Sequence, residues 1–332
     1  MKVSIIGSGS WGTALAQVLA DNKVDVCIWG RNVDELVDIS KYHQNEKYFP
    51  GIKLNKAIKV YTSVKKALEA DVIILSVPSG AIDEISQLIN KTVKKPVIIV
   101  NTAKGYHPIS HKRLSVVIEE NIDASKRLGV VSLIGPSHAE EVVLRQLTVL
   151  NAVSESEECA KTIQHLFSNH YFRVYRSQDV IGSEIGVANK NIIAIASGIL
   201  SGLGFGDNAR AALITRGIAE MTRYGLFFGA KAETFLGLTG IGDLVVTSTS
   251  VHSRNFQAGL VIGQQDGVYN FLESTQKTIE GVKACKIVHE EAIKQNISMP
   301  ITEAVYKVLY EGAKPSQISQ DLMVRELKSE DI

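Results

Sequence analysis

The spacing of hydrophobic residues changes once along the chain. Up to about residue 182, short apolar runs at residues 2–6, 24–29, 71–78, 97–100, 130–134, 148–153 and 171–175 alternate with segments of helical spacing. Runs that are apolar throughout suit the centre of a parallel sheet, where both faces are covered. Residues 33–60 mix charged and polar positions with Tyr42, Tyr48, Phe49 and Pro50-Gly51 and read as a helix followed by a long loop; residues 64–69 read as a short helix. Ser137 with Glu140, and Ser154 with Glu157, fit S/T-x-x-E and predict two capped helix starts. Beyond residue 182 only helical spacing remains. Over 183–203 it is carried by Ile185, Val187, Ala188, Ile192, Ile193, Ala196, Ile199, Leu200 and Leu203, and it returns over 208–230, 280–295, 302–310 and 316–328. The pattern predicts an α/β domain with a mostly parallel sheet over residues 1–182, followed by an all-α domain over 183–332.

The first predicted turn carries chemistry. After the strand at 2–6 come Gly7, Ser8, Gly9, Ser10, Trp11 and Gly12, and then an Ala- and Leu-bearing helix. This is G-x-G-x-x-G between a strand and a helix, the Rossmann setting for a dinucleotide. Gly7 allows the turn, Gly9 lets a pyrophosphate approach the backbone, and Gly12 lets the helix pack on the strand. The free N–H groups and dipole at the helix start favour the phosphate anion. About 20 residues beyond the glycines an acid would hold the ribose of NAD. The chain has Gly30, Arg31 and Asn32 there, and Arg31 favours the 2′-phosphate of NADP, with Asp34 or Glu35 as alternative ribose partners. Polar loops end two later strands, Asn101-Thr-Ala-Lys104-Gly105 and Gly135-Pro-Ser137-His-Ala139, at the strand end where open α/β sheets place ligands.

Composition narrows the function classes. Across 332 residues, 36 Lys plus Arg balance 35 Asp plus Glu, so no bulk field points to nucleic acid or an anionic membrane. Cys27, Cys159 and Cys285 form no C-x-x-C pair, which argues for buried thiols in a reducing compartment and against a disulfide framework or a thiolate metal site. His107 and His111 are separated by Pro108, and no H-E-x-x-H occurs, so no metal is expected. Met1 leads straight into a strand without a secretion signal, and a cytoplasmic location is expected.

In the helical half, Lys190 stands out. It shares the segment 183–203 with one other charge, Glu184. The segment has the length and apolarity of either a buried helix or a membrane span, and Asn189, Lys190 and Asn191 argue against the span. A lysine in such a helix must be paired or functional, because an unpaired buried ammonium costs several kcal/mol. If it is desolvated, it can act as a general base near neutral pH; a carboxylate neighbour would oppose that, and a helix-edge lysine reaching solvent is the bland alternative. Asp243 follows a glycine-rich turn and reads either as a helix cap or as a site acid. Ser253, Arg254 and Asn255 offer a hydroxyl, a guanidinium and an amide beside a helix start, a set suited to a phosphate group.

Taken in order, Gly7-Ser-Gly-Ser-Trp-Gly12, Asn101-Thr-Ala-Lys-Gly105, Gly135-Pro-Ser-His-Ala-Glu-Glu141, Asn189-Lys190-Asn191, Gly240-Ile-Gly-Asp243 and Ser253-Arg-Asn255 resemble the bacterial NAD(P)-dependent sn-glycerol-3-phosphate dehydrogenases over essentially the whole chain. The resemblance implies interconversion of dihydroxyacetone phosphate and glycerol 3-phosphate, supplying the latter for phospholipid synthesis. It implies that Ser10, Trp11, Arg31, Asn32, Tyr48, Lys104, Gly135, Ser137, Ala139, Arg254, Thr278 and Glu280 line the dinucleotide, with Gly7, Gly9 and Gly12 shaping the turn. It also implies that Lys104, Gly135, Ser137, Lys190, Asp243, Ser253, Arg254 and Asn255 hold the substrate. Lys190 would move the proton, Asp243 would orient it and Lys104 would offset charge on the reacting oxygen. Thr278 departs from the family, which often has an aliphatic residue there. A homodimer built through the helical half is also implied. Two other readings of the residues are a related two-domain hydroxyacid dehydrogenase and an NAD(P)H-binding redox sensor without turnover.

Overall fold

The structure, a computed structural model, describes residues 1–268, 279–327 and 329–330. It divides into two compact units, Met1–Val180 and Ile181–Ile332. The division therefore falls in the first turn of a helix, two residues before the change of pattern in the sequence.

The first unit is built on an eight-stranded sheet: β1 (Lys2–Ile6), β2 (Asp25–Trp29), β3 (Lys59–Val60), β4 (Val72–Leu75), β5 (Val97–Asn101), β6 (Arg127–Ile134), β7 (Thr148–Val153) and β8 (Phe172–Ser177), in the order β3-β2-β1-β4-β5-β6-β7-β8. Strands β1 to β6 pair in parallel, β7 turns antiparallel to β6, and β8 runs parallel to β7. Side chains alternate between the two faces, as the pleat requires. Val3, Ile5, Val72, Ile74, Ile98 and Val100 enter one core with α1 (Ser10–Asp21). Ile6, Ile73, Leu75, Val97 and Ile99 enter the other. Both faces are covered, which is why these strands read as unbroken apolar runs.

Three local expectations need correction. Of the helix and long loop expected over residues 33–60, the helix is α2 (Val33–Val37), but the loop ends in the two-residue edge strand β3, too short to leave a periodic signal. Ser137 does not cap the following helix, whose N-cap is His138; its hydroxyl donates to the carbonyl of Gly135 at 3.2 Å. Ser154 donates to the carbonyl of Val130 at 2.6 Å, and Ser156 caps the helix Glu157–Phe167 instead. In each pair a nearby carbonyl won the serine hydroxyl, a competition that capping spacing does not register.

The second unit is helical throughout its described residues, in keeping with the spacing of its apolar positions. Its central α-helix, here α3 (Val180–Gly202), is buried without a break from Gly182 to Ile199. By length and composition it could cross a membrane, but 83% of its most apolar window is buried inside the protein. Around it lie α4 (Asp207–Phe227), α5 (Asp243–Thr249), α6 (Arg254–Gln265), α7 (Glu280–Lys294), α8 (Pro300–Tyr310) and α9 (Pro315–Met323). Helices α3 and α6 meet backbone to backbone. A Cβ added at Gly198 would lie 2.1 Å from the carbonyl oxygen of Phe256, and one at Gly259 would lie 2.0 Å from that of Ile195. Glycine at both positions brings the start of α6 close to the middle of α3.

Candidate active site

In the first unit, the glycine turn has the shape its spacing predicted. Gly7 has φ +124°, and a Cβ there would lie 2.1 Å from the carbonyl oxygen of Ser76; one at Gly12 would lie 2.1 Å from the carbonyl oxygen of Gly7. Over Gly9 a Cβ would meet nothing within 4 Å, and no side chain caps the first turn of α1. An open approach to uncapped helical N–H groups fits a pyrophosphate. Ser10 and Trp11 begin α1 and are part-exposed. Ser8 braces the turn from below: its hydroxyl donates to the buried carboxylate of Glu35 at 2.6 Å, and its carbonyl accepts from Asn45 at 2.9 Å.

The loops after β5 and β6 converge on one oxygen. The carbonyl of Gly135, at φ +144°, accepts from Lys104 Nζ at 3.0 Å and from Ser137 Oγ at 3.2 Å. Ala139 opens the next helix, and Tyr48 is half-buried in the loop before β3. Arg31 is exposed at the end of β2 and pairs with Glu84 at 2.6 Å; Asn32 caps α2, its Oδ1 accepting from the N–H groups of Asp34 and Glu35. Among the described residues no group of three or more His, Cys, Asp or Glu is placed to hold a metal ion.

In the second unit, Lys190 is 3% exposed, which removes the helix-edge alternative. Its Nζ lies 2.7 Å from Oδ1 of Asp243 and donates to Thr247 Oγ1 at 2.5 Å. Asp243 is the first residue of α5, and its carboxylate meets Lys190. Ser253 caps α6, accepting from the N–H of Phe256 at 3.2 Å, and Arg254 beside it is exposed. Asn255 is buried: it accepts from the N–H of Gly281 and donates to Asn191 Oδ1, both at 2.9 Å. Asn191 also donates to Glu280 Oε2 at 3.4 Å. Thus Lys190 with Asp243, and Asn255 with Glu280, are brought together within this unit. Thr278 lies outside the described residues. A groove of about 970 Å³ elsewhere in the unit, lined by Leu200, Phe205, Arg216, Val305 and Leu322 among others, contains none of these residues.

Residues 2–160 match the family described as NAD-dependent glycerol-3-phosphate dehydrogenase N-terminus, and residues 179–320 match its C-terminus. The chain belongs to the NAD-dependent glycerol-3-phosphate dehydrogenase family. It is 47% identical over 331 residues to glycerol-3-phosphate dehydrogenase [NAD(P)+] of Listeria monocytogenes, covering 99% of this chain and 98% of the relative. It is 45% identical over 330 residues to the protein of the same name from Streptococcus agalactiae, with the same coverage. The crystal structure of glycerol-3-phosphate dehydrogenase from Coxiella burnetii superposes with a TM-score of 0.90 at 35% identity, covering 98% of this chain and 99% of that one.

For a member of the glycerol-3-phosphate dehydrogenase family, the structure adds two groups that sequence reasoning passed over. Thr247 accepts from Lys190 while donating to the carbonyl of Asp243 at 2.6 Å, so it fixes the ammonium from a second side. The signal was available, since Asp243 and Thr247 are four apart and share a helix face. Asn191, which follows Lys190 in the Asn-Lys-Asn motif, links Asn255 to Glu280.

Proposed function

We propose that this chain catalyses the NAD(P)-dependent interconversion of dihydroxyacetone phosphate and sn-glycerol 3-phosphate with Lys190 as the acid/base. The observation that carries the proposal is the buried contact of Lys190 with Asp243 and Thr247. An ammonium kept from bulk water by a carboxylate and a hydroxyl is held in one direction, as proton transfer to a single oxygen requires.

In the first unit, Gly7, Gly9, Ser10, Trp11, Gly12, Arg31, Asn32, Tyr48, Lys104, Gly135, Ser137 and Ala139 are assigned to the dinucleotide. Family resemblance adds Arg254, Thr278 and Glu280 from the second unit. When bound, the nicotinamide supplies the hydride donor or acceptor. In the reducing direction, Lys190 donates a proton to the oxygen on carbon 2; in the oxidising direction it accepts one. Asp243 balances and orients the ammonium. Lys104, Gly135 and Ser137 are assigned to substrate as well, with Lys104 offsetting charge on the reacting oxygen. Ser253, Arg254 and Asn255 hold the phosphate, whose binding energy positions the reacting carbon.

Arg31 supports NADP as the preferred dinucleotide, with NAD also accepted. Three buried free thiols suit a reducing, cytoplasmic compartment. A homodimer through the helical unit rests on the resemblance alone and is read from the mass in solution. The decisive experiment mixes the protein, NADPH and dihydroxyacetone phosphate and follows the reduced nicotinamide absorbance. Its disappearance only when dihydroxyacetone phosphate is present supports the assignment; unchanged absorbance, or loss with phosphate-free keto acids alone, overturns it.

A further inference from the structure

The end of β2 carries an arrangement that bears on which dinucleotide is preferred, and its meaning rests on reading the first unit as the dinucleotide-binding domain. Three groups near the predicted ribose position are already engaged. Glu35, one of the two acids that could hold the ribose of NAD, is 8% exposed and turned inward, between Ser8 Oγ at 2.6 Å and Lys47 Nζ at 2.8 Å. The side-chain oxygen of Asn32 caps α2. The third is Arg31, bonded to Glu84 at 2.6 Å.

Glu84 belongs to the helix Ile82–Thr92 that follows β4. Strands β2 and β4 flank β1 on opposite sides, so a bond from the residue after β2 to the helix after β4 spans the carboxyl end of β1, where the glycine turn begins. A dinucleotide with its pyrophosphate on that turn brings its ribose to this pair. The pair is easily opened. Its side chains are 63% and 65% exposed, and Glu84 stands in the first turn of its helix, where the dipole continues to favour a carboxylate after the guanidinium has left.

We propose that Glu84 is a specificity-determining residue: it competes with the ribose 2′-phosphate for Arg31 and so holds down the preference for NADP over NAD. A 2′-phosphate must displace the carboxylate and tolerate its charge, whereas a 2′-hydroxyl needs neither. Glu84 therefore narrows a discrimination that Arg31 alone would make larger.

The test measures binding of NADPH and NADH to the full chain by nicotinamide fluorescence, without substrate, for wild type, Glu84→Gln, Arg31→Ala and the double variant. Glu84→Gln is expected to tighten NADPH about two- to five-fold, the range of an exposed ion pair, and to leave NADH unchanged. Arg31→Ala is expected to weaken NADPH selectively and to abolish the gain in the double variant. Equal shifts for both dinucleotides, no shift for either, or a gain that persists without Arg31 would overturn the role of Glu84 while leaving the dinucleotide site in place. If wild type binds neither dinucleotide, the reading of the first unit falls and this inference with it.

Discussion

Asn255 accepts a hydrogen bond from the backbone N–H of Gly281 at 2.9 Å, tying the start of α6 to the start of α7. The approach is so close that a Cβ on Gly281 would lie 2.8 Å from the same Asn255 oxygen and 2.6 Å from the carbonyl oxygen of Asn191. Asn255 is thus a structural joint as well as a proposed phosphate ligand. Asn255→Ala is expected to lower thermal stability, by about 1 to 3 kcal/mol for the buried N–H it orphans, and to raise the KM for dihydroxyacetone phosphate. Calorimetry and steady-state kinetics on the same preparation check both effects. A KM change at unaltered stability would show that the joint is not structural.

Removing Lys190 alone leaves Asp243 buried without its counter-charge. Lys190→Met is therefore expected to cost about 3 to 5 kcal/mol of stability, as for other broken buried pairs, and about 100-fold or more in turnover. Lys190→Met combined with Asp243→Asn removes both charges and is expected to recover much of the stability but none of the turnover. Melting temperature and turnover measured side by side separate the structural from the chemical role. Near wild-type turnover in either folded variant refutes the acid/base assignment.

Asp21 sits at the end of α1 and gathers hydrogen bonds from Arg145 at 2.8 Å, Tyr171 at 2.8 Å, Asn55 at 2.9 Å and Gln17 at 2.8 Å. Burial by itself raises its carboxyl, but these four donors outweigh burial and hold it down at about 2, against an ordinary 3.8. Because the folded value is the lower one, the unfolded chain takes up the proton first on acidification. The contribution of Asp21 is therefore present above about pH 3.8 and is lost as pH falls towards about 2. Asp21→Asn should destabilise the chain at pH 7 by about 1 to 2 kcal/mol, a figure kept small by partial exposure, and the gap from wild type should shrink below pH 4. Urea midpoints at a series of pH values read this directly.

Glu220 serves a helix other than its own. Its buried carboxylate accepts from the N–H groups of Ile301 at 2.7 Å and Thr302 at 2.8 Å, and from the Thr302 hydroxyl at 2.7 Å, at the start of α8. Burial pushes its carboxyl above the ordinary range, against the opposing pull of those donors. Glu220→Ala is expected to cost about 3 kcal/mol by stranding these donors, with Glu220→Gln costing less because one acceptor survives. Hydrogen exchange at Ile301 and Thr302 should rise in the alanine variant. Unchanged protection there would rule out the capping role.

The two architectures were legible because burial imposes a period on the sequence: runs apolar throughout where a sheet is covered on both faces, and helical spacing where one helix is surrounded by others. The glycine turn was legible for a related reason, since Gly7 and Gly12 stand where any Cβ would strike backbone oxygen. Capping by Ser137 and Ser154 was misread because each hydroxyl had a choice of acceptors, and only the folded chain brought the winning carbonyl within reach.

The order of residues by itself determined the class of each half, the glycine turn after β1 and the singular character of Lys190 in an apolar helix. All of these follow from covalent neighbours and local periodicity. Tertiary structure alone decided that Lys190 meets Asp243 and Thr247, that Glu35 turns inward to Ser8, and that Arg31 finds Glu84. These partners are separated by 27 to 57 positions along the chain. An electrostatic contact depends on distance in space, and that distance exists only after the cores have packed.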